Sequence, residues 1–113
     1  MHEMSVAESL VELIEEESRI QSFSCVRVVK VMLGALGCVE PAALRFCFDA
    51  IAQGTIAEGA RLDLEMISGE GWCPGCAKRV ALMERYDSCP ACGQCQVHMT
   101  AGDELRLAEL EVD

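Results

Sequence analysis

Two cysteine pairs constrain this chain more than any other feature. Cys73-Pro74-Gly75-Cys76 is followed by twelve residues and then by Cys89-Pro90-Ala91-Cys92-Gly93. Zinc takes four ligands at the corners of a tetrahedron, and two thiolates separated by two residues reach one ion from a single short turn. Such a turn also points backbone N–H groups at the sulfurs. Gly93 suits the positive φ that follows the second pair, whereas Ala77 stands at the equivalent place after the first. With Cys73, Cys76, Cys89 and Cys92 filling all four positions the site is closed, so the expected zinc is structural and not catalytic. The alternatives are an iron site of similar geometry and a redox dithiol. A thioredoxin-like dithiol opens a helix after a strand within a βαβ pattern, and neither pair has that setting.

Residues 70–96 hold five of the eight cysteines and two of the three prolines. This stretch reads as a small zinc-binding module inserted into a first domain made of 1–69 and 97–113. So short a module has too little core to fold unaided, and the metal should supply much of its stability. Cys95 is the surplus thiol, read as an exposed spectator, with substitution for a neighbouring ligand as the alternative. Cys25, Cys38 and Cys47 lie in apolar surroundings, and Cys25 and Cys47 are expected as small core hydrophobes.

The first domain reads as α+β, a small mixed sheet with two helices. Ala7, Leu10, Val11 and Ile14 form the stripe of an amphipathic helix over 4–19, with Glu8, Glu12, Glu15, Glu16 and Glu17 mostly on its wet side. Ser5 and Glu8 fit a capping box, which would leave residues 1–4 outside the helix. The valine-rich 25–33 predicts a strand broken by Gly34 and Gly37. Pro41 suits the first position of a second helix, with Leu44, Phe48 and Ile51 on one face and Gly54 closing it. Residues 61–68 alternate as a half-buried strand. Residues 97–100 and 105–112 look extended around an Ala101-Gly102-Asp103 turn, and both are expected to return to the first domain's sheet.

The charge of −10, from 9 Lys+Arg against 19 Asp+Glu, argues against nucleic acid and against an anionic membrane surface. No stretch is long and apolar enough for a membrane span, and no secretory signal opens the chain. A cytoplasmic chain with reduced thiols is therefore expected. There is no Gly-rich phosphate loop and no nucleophile–base pair, so an enzyme is not expected. The exposed acidic helix could face a partner or simply be solvated.

The N-terminus carries a second candidate metal site. Bulky His2 should leave Met1 in place with its free amine. That amine, the deprotonated His2 amide and the His2 imidazole can close two chelate rings in a planar nitrogen set that suits Ni(II) or Cu(II). A fourth donor would come from the Glu3 backbone or carboxylate, or from elsewhere. The other histidine, His98, follows the cysteine module; it is read either as a partly buried strand histidine or as a remote ligand.

The opening Met1-His2-Glu3-Met4-Ser5, the valine-rich strand, the Glu40-Pro41 helix start with Phe46 and Phe48, and the two cysteine pairs together resemble the HypA/HybF family of nickel-insertion accessory proteins for [NiFe]-hydrogenase. The resemblance spans essentially the whole chain. It implies a nickel-binding α+β domain holding Ni(II) as transient cargo through His2, with Met1 and Glu3 alongside. It also implies structural zinc on Cys73, Cys76, Cys89 and Cys92, a HypB-type GTPase partner, and the hydrogenase large subunit as recipient. The competing reading is a zinc-ribbon scaffold without a second metal.

Overall fold

A computed structural model describes residues 3–94 and 96–113, and the chain divides into two compact units. The first comprises residues 1–32, 39–65 and 106–113; the second comprises 33–38 and 66–105. The second unit thus contains the 70–96 stretch and takes in further chain on either side of it, together with the separate 33–38 segment.

In the first unit, helix α1 spans Glu3–Gln21 and buries Val6, Ala7, Leu10, Val11 and Ile14. The expected Ser5–Glu8 capping box does not form, because the helix begins two residues earlier, at Glu3. The Glu3 carboxylate instead accepts from the backbone N–H of Glu40 at 3.4 Å. Helix α2, Pro41–Ala52, opens as its sequence predicts: Glu40 is the N-cap, accepting from Ala43 N at 2.7 Å, and Pro41 fills the first turn, where no N–H is needed. Leu44 and Phe48 are fully buried on its inner face. The two helices pack on each other.

Strand β1 (Val26–Gly34) is central in a three-stranded sheet, with β2 (Arg61–Ile67) on one side and β6 (Leu105–Val112) on the other. The ion pairs Arg27–Asp113 and Lys30–Glu109 step in opposite directions along β1 and β6, so those strands are antiparallel. Val26 N donates to the Ile56 carbonyl at 3.0 Å and Ala35 N to the Ile67 carbonyl at 2.9 Å, so the two segments advance in the same direction. Strands β1 and β2 are therefore parallel, as the crossover through α2 allows, and the sheet is mixed. Both ion pairs are largely exposed and add little stability. Apolar Val26, Val29 and Val31 are buried, whereas Cys25, just ahead of the strand, is exposed and Cys47 is only half-buried on α2. Neither is the core residue expected, because each lies beside the buried positions of its element and not on them.

In the second unit, β3 (Glu70–Cys73) is flanked by β4 (Lys78–Ala81) and β5 (His98–Ala101), all antiparallel. Only β6 of the two late strands joins the first sheet; β5 pairs with β3, contrary to expectation. Gly71 explains this, since any Cβ there would collide with the Val97 side chain and crowd the His98 carbonyl. The missing side chain lets β5 close onto β3. Val97 then joins a core of Leu36, Cys73, Val80, Leu82 and Cys89, with Met99 packed against it.

Leu36 enters that core from the 33–38 segment, where Gly34 N donates to the Glu104 carbonyl at 2.7 Å and Leu36 N to the Gly102 carbonyl at 2.6 Å. A Cβ at Gly34 would overlap the Gly102 backbone. Both partners of that clash are main chain, so neither can swing aside. The substitution Gly34→Ala is expected to lower unfolding free energy by about 2–3 kcal/mol in urea titrations, the range of overpacked sites. A variant as stable as the parent would show that this approach is looser than it looks.

Candidate metal centre

The four paired cysteines converge. Their sulfurs all lie within 4.8 Å of one another, and this is the metal-competent cluster found among the described residues. The Sγ–Sγ separations are 3.8 Å between Cys73 and Cys92 and 3.9 Å between Cys76 and Cys89. Zinc–sulfur bonds of about 2.3 Å in a regular tetrahedron put neighbouring sulfurs about 3.8 Å apart. These two separations match that value and all four sulfurs lie within 4.8 Å of one another, so the set is within reach of one tetrahedral, thiolate-loving ion.

Each half of the site is a tight turn. The end of β3 carries Cys73, whose sulfur accepts from Cys76 N at 3.4 Å. In the second half, Cys89 Sγ accepts from Ala91 N at 3.4 Å, and Gly93 N returns to the Cys89 carbonyl at 2.7 Å. These N–H groups offset negative charge that four thiolates would bring together. Cys73 and Cys89 are buried in the core, Cys76 is half-buried and Cys92 is exposed. One side of the site is thus fixed by packing and the other faces water.

The thiols are electrostatically unequal. Hydrogen bonding to Cys73 and then to Cys92, with burial behind them, pushes the Cys76 thiol up to about 12. The backbone N–H groups of Cys92 and Ala91 pull the Cys89 thiol down despite its burial. Four sulfurs this close share protons in the absence of a cation, and a divalent ion must displace them.

Gly93 has φ of 70°, as the second pair demands, and Ala77 adopts φ of 51° after the first. The departure from glycine leaves the turn intact at a cost in backbone strain. Ala77→Gly should therefore raise the unfolding free energy of the zinc-loaded protein by about 0.5–1 kcal/mol, the relief of strain outweighing glycine's extra entropy. Because protons must leave the thiols, zinc affinity should rise with pH and fall at least about tenfold from pH 7.5 to pH 6. Competition with a chromophoric chelator measures this directly; a flat profile would contradict a thiolate site.

Met1 and His2 lie outside the described residues, as does Cys95. Glu3 is the first residue of α1. His98 is exposed on β5, opposite Trp72 in the register of β3, and is not the partly buried strand histidine considered above. Sequence reasoning missed Leu36 as a core residue of the cysteine unit, and Arg85, whose Nε donates to the Leu36 carbonyl at 2.8 Å. An apolar residue between Gly34 and Gly37 was the available hint for Leu36; nothing local marked Arg85.

Fold and site define a small α+β protein that carries a four-cysteine metal knuckle on its own antiparallel sheet. The family described as "Hydrogenase/urease nickel incorporation, metallochaperone, hypA" matches residues 1–112. A "Hydrogenase maturation factor HypA" from Methylocella silvestris is 60% identical over the whole of both chains, and one from Azotobacter chroococcum is 50% identical over the same extent. The solution structure of the Ni metallochaperone HypA from Helicobacter pylori superposes with a TM-score of 0.72 at 27% identity, covering 99% of this chain and 97% of that one. The chain belongs to the HypA family of nickel metallochaperones.

Proposed function

We propose that this protein carries Ni(II) at its N-terminus and delivers it during maturation of the [NiFe]-hydrogenase large subunit, docking with a HypB-type GTPase. It acts as a cytoplasmic carrier and not as an enzyme. Zinc is the resident ion, held by Cys73, Cys76, Cys89 and Cys92, and it supplies cross-linking that a small unit lacks. Membership of the HypA family over residues 1–112 is the observation that carries this reading.

Nickel is cargo, bound by the Met1 amine, the His2 amide and imidazole, and Glu3. Helix α1 begins at Glu3, and the first N–H groups of a helix have no intrahelical acceptor. The Glu3 amide nitrogen is therefore not consumed by the helix, while its carboxylate is engaged at Glu40 N. That favours the backbone of Glu3 over its carboxylate as the fourth donor. The positive end of the helix dipole opposes a cation beside it, and the acidic surroundings favour one. The balance suits an ion that must be captured and then released. Under this division the first unit handles nickel and the second, which contains the 70–96 module, is a permanent zinc fixture. Among the described residues no helix is long and apolar enough to cross a membrane.

Native mass spectrometry during Ni(II) titration tests the proposal on three proteins: the parent, His2→Ala, and a chain with one residue added before Met1. The expected result is one zinc in all three and one nickel in the parent alone. Equal nickel binding by all three would place the cargo elsewhere, and no nickel in any would leave a zinc scaffold.

A further inference from the structure

A cleft of about 250 Å³ in the second unit is lined by Arg85, Tyr86, Gln96, Val97, His98 and Met99. Four of its lining residues, Arg85, Tyr86, Gln96 and His98, carry groups able to donate hydrogen bonds. Among the described residues no aspartate or glutamate lines it, in a chain with 19 of them. Arg85 is held by its Nε on the Leu36 carbonyl at 2.8 Å, which fixes the guanidinium plane and leaves both terminal nitrogens unspent among the described residues. The turn bearing it is itself braced, with Glu84 N on Asp87 Oδ2 at 3.2 Å. Tyr86 follows at φ of 66°, a conformation a non-glycine residue rarely holds. Val97 and Met99 are the aliphatic residues of its lining.

We propose that this cleft is a carboxylate-binding site, taking a carboxylate borne on a short apolar or peptide chain. An anchored guanidinium offers two parallel N–H donors, the geometry a carboxylate accepts best. Gln96 and His98 line the same cleft and can add donors, and Tyr86, Val97 and Met99 supply its apolar lining for the attached carbon chain. The volume suits one terminal residue or one acidic side chain and not a large cofactor. Two sources present this chemistry on a partner protein: a free C-terminus, and an aspartate or glutamate side chain within an extended segment. The site lies wholly in the second unit and does not depend on where nickel binds.

The test is a 1H–15N NMR titration of the zinc-loaded full chain with three probes. They are acetyl-Ala-Leu with a free carboxylate, acetyl-Ala-Glu-amide, and acetyl-Ala-Leu-amide as the neutral control. Saturable shifts of the Arg85 Nε–H and the Gln96 side-chain amide are expected with at least one acidic probe and none with the neutral one. A response to the first probe alone assigns a chain terminus, and a response to the second an internal acidic side chain. Arg85→Lys, which keeps charge but loses the fork, should weaken binding at least tenfold. Since Arg85 also braces its turn, Gln96→Leu provides an independent loss, about threefold or more, with the rest of the spectrum unchanged. The proposal fails if neither acid moves these resonances, if the neutral amide moves them equally, or if both variants bind like the parent.

Discussion

The second unit depends on the placement of four sulfurs at the corners of one tetrahedron. Cys73 and Cys89 are at once core residues and site residues, packed with Leu36, Val80, Leu82 and Val97. Apolar packing thereby brings the two halves of the site together, and the backbone N–H bonds onto Cys73 and Cys89 steady their sulfurs. A divalent ion would convert this proximity into covalent-strength cross-links, where the sulfurs alone crowd one another and hold Cys76 protonated far above the ordinary thiol range. The core behind the site is small, which is why its few close approaches, Gly71 under Val97 and Gly34 against Gly102, tolerate no added atom.

Features whose physics is local were legible in the sequence. The C-x-x-C spacing specifies the knuckles because two residues are what a turn needs to bring two sulfurs to one ion. The stripe of Ala7, Leu10, Val11 and Ile14 specifies α1, and Glu40-Pro41 specifies the start of α2, because caps and periodicity act within a turn or two. What could not be read was set by distant partners. The start of α1 moved to Glu3, whose carboxylate meets a backbone N–H 37 residues away. The pairing of β5 was decided by Gly71, whose missing Cβ matters only once Val97 is opposite. Cys25 and Cys47 look apolar in context, but each lies beside the buried positions of its element, a distinction of one residue that tertiary packing makes.

The two metal roles call for opposite constructions. A permanent ion is best served by four ligands of one kind, two of them locked in a core, and that is what β3 and the Cys89 turn provide. A cargo ion is better served by a chain terminus, where donors come from main chain and one imidazole and can be dismantled without unfolding anything. Helix α1 begins at Glu3, whose amide is among the first N–H groups that have no intrahelical acceptor. Softness reinforces the separation: thiolates favour zinc over a planar nitrogen set, and the nitrogen set favours nickel. Under the proposed assignment the chain discriminates between two divalent ions by ligand type and geometry and not by affinity alone.

X-ray absorption at the zinc and nickel edges, on protein loaded with one equivalent of each, tests this separation most directly. The account predicts zinc surrounded by four sulfurs at about 2.3 Å. It predicts nickel in a first shell of nitrogen and oxygen only. Sulfur in the nickel shell, or nitrogen and oxygen replacing sulfur around zinc, would contradict it.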